Sequence, residues 1–146
     1  MNLKITGTTS DSLKAKIESC VRFCATQQLG DKTAKRLNIW VRVSKNLVKY
    51  ENALGLASAE DNRHKCRNFE IRLDSNAAPR DILQTLCHEM IHVKQFATGE
   101  FKMGWAKSRW QGRSIVHDLL EYKQLPWEAE AFGNEKKLYR AWRNSG

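Results

Sequence analysis

Residues 79–98 read PRDILQTLCHEMIHVKQFAT, and this stretch decides how the chain can be built. Pro79 suits the first turn of a helix, where its missing N–H costs nothing, and Gly99 supplies a stop. At about 100° per residue, Ile82, Leu83, Leu86, Met90, Val93 and Ala97 form one apolar stripe. His88 and His92 project from the opposite side, one turn apart. The stripe would hold the helix on a core while the histidine face looks into a cleft.

The flanking segments set the fold class. Asn68 to Asp74 alternates, with Phe69, Ile71 and Leu73 on one face, and reads as a strand at the sheet edge above the cleft. Leu37 to Ser44 alternates in the same way, Asn2 to Thr6 reads as a short strand, and another is expected near Ala53 to Ala57. Ser10 to Leu29 is an amphipathic helix that should stop at Gly30. Phe101 to Val116 reads as irregular and strand-containing, and Pro126 opens a last helix reaching Trp142. Strand, helix, strands, helix, irregular segment and helix make an α+β fold. A small mixed sheet packed on helices is expected. With 146 residues, one domain over 1–146 suffices.

Within the helix, Leu86-Cys87-His88-Glu89-Met90-Ile91-His92 holds the pattern HExxH. Two imidazoles four apart can grip one Zn²⁺ with helical rigidity, and Glu89 beside them can deprotonate a water. Such a site needs a third protein ligand. His117, Glu121, Glu128 and Glu130 are the downstream candidates. Glu128 and Glu130 are two apart on the last helix, so only one can reach the metal. The stripe Trp127, Ala131, Leu138 and Trp142 lies between them and does not decide. Asn134 favours Glu130, because it sits one turn later and could support a ligand histidine.

With these residues in view, the chain resembles the zincin metallopeptidases of the gluzincin kind, which carry HExxH on one helix and a ligand Glu on a later one. Glu130-Ala131 with Asn134 matches the gluzincin arrangement, with Asn in place of Asp. The segment LCHEMIHVKQ, Leu86 to Gln95, also resembles SprT-like peptidases. Those enzymes take a later His as third ligand, for which only His117 is present here. Together with Trp110-Gln111-Gly112 and PWEAEA, the pattern is most similar to small metallopeptidase-like proteins of phages and bacteria. The resemblance covers about 53–134 and implies a zincin-like domain, a metal set of His88, His92 and Glu130, a supporting Asn134 and a catalytic Glu89.

The expected activity is zinc-dependent hydrolysis of a protein or peptide substrate, with Tyr122, His117 or Arg113 as oxyanion helper. The alternative is a SprT-like DNA-associated protease or a nucleic-acid-binding zinc protein. The net charge of +9 favours a polyanion. Residues 1–74 carry 14 basic and 8 acidic side chains, and 136–146 carry 4 basic and no acidic ones. Lys102, Lys107, Arg109 and Arg113 are interleaved with Phe101, Trp105 and Trp110, so weak DNA binding is expected. A non-enzymatic assembly role fits less well, since a structural metal site needs no general base. No apolar run spans a membrane, and Met1 to Gly7 lacks the apolar block of a signal peptide. The expected location is the cytoplasm, the host's if a phage encodes the chain. Cys20, Cys24, Cys66 and Cys87 read as buried small hydrophobes, with a second zinc site as the sharper alternative.

Overall fold

A computed structural model describes residues 1–51 and 53–146. Its elements run β1 (Asn2–Gly7), α1 (Asp11–Ala34), β2 (Asn38–Ser44), α2 (Leu47–Glu51), β3 (Gly55–Ala59), β4 (Asn68–Asp74) and α3 (Pro79–Thr98). Then follow β5 (Phe101–Lys102), β6 (Lys107–Trp110), β7 (Arg113–Val116), two 3₁₀ turns at His117–Leu119 and Tyr122–Gln124, and α4 (Pro126–Asn144). The architecture is α+β, as the order of sequence signals implied.

The main sheet has the order β1-β2-β4-β3. β1, β2 and β4 are parallel, and β3 runs antiparallel to β4. Parallel neighbours need long crossovers, and α1 provides the first of them. Strand alternation does the rest. Ile39, Val41 and Val43 of β2 and Phe69, Ile71 and Leu73 of β4 are all buried, while Trp40 stands on the exposed face.

The expectation that Asn68–Asp74 forms the edge is corrected here. β4 is paired on both sides, and the edge is β3. Its sequence, GLASA, gives only a faint strand signal, because small residues are what the packing requires. A Cβ on Gly55 would lie 2.6 Å from Thr85 Cγ2 and 3.3 Å from Glu89 Cγ. The missing side chain lets the edge strand approach α3 beside the expected base.

α1 starts where Ser10 Oγ accepts the N–H of Leu13. Its first and longer segment stops at Gly30, as expected. Gly30 takes φ 80 and ψ 162, which breaks the helix there, and a further turn carries it to Ala34. α3 is the central element, with apolar and polar faces both buried, and its stripe from Ile82 to Ala97 is wholly in the core. Gly99 ends it in the left-handed region, φ 82, with its N–H returning to Phe96 O. The segment expected to be irregular and strand-containing holds a three-stranded antiparallel sheet, β5-β6-β7. Gln111 and Gly112, both at positive φ, make the two-residue turn between β6 and β7. Phe101 stacks between Phe96 and Trp127, at 4.8 and 4.5 Å between ring centroids, and seats this sheet against α3 and α4. Among the described residues, no helix is long and apolar enough to cross a membrane.

Candidate metal centre

His88, Glu89 and His92 occupy the third and fourth turns of α3 on the side away from the stripe. All three are buried, despite their polarity. α4 packs across them and brings Glu128 with it. Glu128 Oε1 lies 3.0 Å from His88 Nε2 and 3.2 Å from His92 Nε2. Two imidazole nitrogens and a carboxylate oxygen therefore converge, with all donor atoms within 4.8 Å of one another.

The convergence corrects the assignment of Glu130 as third ligand. Glu130 is turned aside, and its Oε1 meets Lys94 Nζ at 3.1 Å and Gln95 Nε2 at 3.2 Å. The reason lies in which arc of α4 is buried. Trp127, Glu128, Ala131, Leu138 and Tyr139 face inward. Tyr139 lies about 20° from Glu128 around the helix, and it swings the buried arc toward Glu128 and away from Glu130. Asn134 is also reassigned. Its Nδ2 donates to Glu130 O of its own helix, 2.8 Å away, and supports no histidine.

Gln95 orients the His92 imidazole, and Glu135 stands near the outer nitrogen of His88. Gln95 Oε1 is 2.8 Å from His92 Nδ1. Gln95 Nε2 donates to Trp127 O and to Glu130 Oε1, which fixes the amide so that its oxygen faces the ring. His92 then carries a proton on Nδ1, so that with a metal bound Nε2 would offer the lone pair. Glu135 Oε1 is 3.6 Å from His88 Nδ1 on the equivalent outer side. Neither was picked out in the sequence, although signals exist. Gln95 follows His92 by three, and Glu135 follows Glu128 by seven, so each pair shares a helix face.

The electrostatics follow from burial. Desolvation lifts the Glu89 carboxyl to about 7, against the pull of His92 and His88. Burial alone would raise Glu128 too, but its hydrogen bonds to His88 and His92 bring it down to about 2. Burial lowers and Glu128 raises His92, and the carboxylate prevails. The two carboxyls are driven in opposite directions, one toward a proton-accepting role near neutrality and one toward a permanent anion.

A cleft of about 270 Å³ opens over the group, lined by Gly55, Leu56, Glu89, His92, His117, Tyr122 and Glu128 among others. Two of the three expected helpers, Tyr122 and His117, therefore reach it. Burial and the nearby Glu128 carboxylate push the Tyr122 phenol up, keeping it a hydrogen-bond donor. His117 is held by Ser108, with Oγ to Nε2 at 2.7 Å, and lies edge-on to Trp127. Arg113 sits exposed on β7 and is not part of the lining, and Glu121 serves as the cap of a 3₁₀ turn.

The donor set could hold a metal ion. Ligand atoms of a tetrahedral site are about 3.4 Å apart when each bond is ~2.1 Å. The 3.0 and 3.2 Å separations fall within a few tenths of that spacing. The Nδ1 atoms are backed by Gln95 and Glu135, which leaves both Nε2 atoms turned to Glu128. No protein-family model matches the chain, and no match to it is found among curated proteins or solved structures.

Proposed function

We propose that the chain is a zinc-dependent metallopeptidase with a zincin-like fold. One observation carries this reading: Glu89, poised near neutrality, stands in the cleft directly beside the His88, His92 and Glu128 donor set. His88, His92 and Glu128 would hold the ion, which supplies polarisation of the scissile carbonyl and of its attacking water. Glu89 takes a proton from that water and returns it to the leaving nitrogen. A carboxyl near 7 does both at neutral pH, since it neither holds nor refuses the proton strongly. Tyr122 donates toward the oxygen that becomes negative, and His117 is the second donor at the same mouth.

The substrate enters extended. β3 is the open edge of the main sheet, and Gly55 to Ala57 form one wall of the cleft. A peptide strand laid along β3 would pair with its free backbone groups and pass over Glu89. Four free cysteines suit a reducing compartment such as the cytoplasm.

The decisive experiment is zinc analysis combined with cleavage of an unfolded protein. Wild type should carry about one zinc and cleave. Glu89→Gln should keep the zinc and lose cleavage. Metal-loaded wild type that cleaves no unfolded protein or peptide library would end the peptidase reading.

A DNA-associated variant of this activity has one observation in its favour. Trp105 is 99% exposed at the turn between β5 and β6, flanked by Lys102, Lys107 and Arg109. A free indole among cations can stack on a base. Cleavage of a basic protein with and without single-stranded DNA at fixed salt separates this from a plain peptidase. Equal rates would leave the charge with no role in activity.

A further inference from the structure

On the opposite face of α3 a second cluster of ligand-type atoms lies in the core. Cys20 and Cys24, one turn apart on α1, meet Cys87 of α3, the residue before His88. The three sulfurs are separated by 3.9 Å (Cys20–Cys24), 3.6 Å (Cys20–Cys87) and 3.9 Å (Cys24–Cys87). All three residues are wholly buried, and none is in a disulfide. Cys66 stands apart, its thiol directed at Arg63 O and Asp61 O.

We propose that Cys20, Cys24 and Cys87 form a second metal site that takes one cuprous ion in three-coordinate sulfur ligation. The geometry comes first. A point equidistant from sulfurs spaced 3.6, 3.9 and 3.9 Å lies about 2.2 Å from each of them. That is within about 0.1 Å of a typical metal–thiolate bond of ~2.3 Å. An ion could enter the plane of the sulfurs with little movement of either helix.

The ligand count then selects the ion. Among the described residues, the group contains no fourth His, Cys, Asp or Glu. Complete burial keeps bulk water from supplying one. Structural zinc demands four ligands in a tetrahedron, so three thiols in a sealed apolar pocket suit it poorly. Soft thiolates favour Cu(I), which is content with three. On loading, each sulfur that ionises gives its proton to solvent and its lone pair to the cation. No electron is transferred, so no oxidant or reductant is needed. The bond set would tie α1 to α3 at the residue preceding His88.

The test uses the reduced, folded chain without oxygen. Cuprous ion is offered in competition with a chromogenic cuprous chelator, and the bound metal is examined by X-ray absorption. One copper per chain, withheld from the chelator and surrounded by three sulfurs, is the expected result. Cys24→Ala should weaken retention by at least about 100-fold, and Cys66→Ala should leave it unchanged. The double variant His88→Ala with His92→Ala should still hold copper, which separates this site from the one in the cleft. The wild-type absorption spectrum reads the ligands directly, so the test stands even if Cys24→Ala does not fold. No copper retained by wild type, nitrogen ligands in the spectrum, or zinc displacing copper from the sulfurs would overturn the proposal.

Discussion

The two faces of α3 carry neighbouring residues, Cys87 and His88, into opposite surroundings. On one face, Cys87 joins Cys20 and Cys24 in a sealed pocket where every neighbour is held in the core. On the other, His88 joins His92 and Glu128 at the floor of a cleft. Both groups have three ligand-type atoms in close approach. They differ in what stands behind and in front. The imidazoles are backed by Gln95 and Glu135 and faced by Glu89, Tyr122 and His117, whereas the thiols have neither support nor an opening. Ligand atoms alone make a binding site. A reactive site also needs an oriented second layer and access for substrate.

The largest effect should come from the proposed base on the cleft face. Glu89→Gln is expected to lower kcat by several orders of magnitude with zinc content intact, because Gln cannot accept a proton. Steady-state cleavage beside metal analysis checks it. The same residue sets the pH response. Glu89 must be deprotonated to act, and its pKa is raised to about 7, so kcat/KM should fall as pH drops through or just below neutrality. A wild-type profile with no fall anywhere on the acid side while zinc is retained would remove Glu89 from the role of base.

Next in size is the contrast between two glutamates of α4. Glu128→Ala removes an atom 3.0 Å from His88 Nε2 and should weaken zinc by about 1,000-fold or more. Glu130→Ala touches only Lys94 and Gln95 and should cost about tenfold or less. A chelator competition ranks them, and the reverse order would restore Glu130 as the ligand. Gln95→Leu should fall between, about 10- to 100-fold, by freeing the His92 tautomer.

Gly55→Val tests the wall of the cleft. Its side chain would collide with Thr85 and crowd Glu89, so the edge strand must move. The expected result is a drop of about tenfold or more in kcat/KM with zinc retained. Unchanged cleavage would mean that substrate does not run along β3.

The smallest effect on cleavage belongs to the buried stripe. Leu86→Ala should cost about 2–5 kcal/mol of stability, read by denaturant unfolding. Activity per folded molecule should stay within a few-fold of wild type. A loss matching Glu89→Gln would show that the stripe positions the reactive face as well as holding the helix.

Much of this was legible from local pattern. Alternation at Leu37 to Ser44 and Asn68 to Asp74 marked the strands, because a half-buried strand has a period of two and those residues obey it. HExxH on an amphipathic helix marked His88, Glu89 and His92, because positions four apart share a face whatever surrounds them. β3 was nearly silent, since its small residues reflect the helix above it. The break at Gly30 was legible, but the further turn to Ala34 was not, because glycine permits a break without obliging the chain to stop.

What the sequence by itself determined, then, was everything set by spacing within one element: the two histidines, the glutamate between them, the apolar stripe and the α+β order. The tertiary structure alone decided between Glu128 and Glu130, placed Gln95 and Glu135 behind the imidazoles, made β3 rather than β4 the edge, and gathered Cys87 with Cys20 and Cys24. The physical reason is that each of these depends on how one helix or strand is rotated and seated against another. That rotation is fixed by the sum of buried contacts across the core, such as Tyr139 turning α4, and no single segment records it.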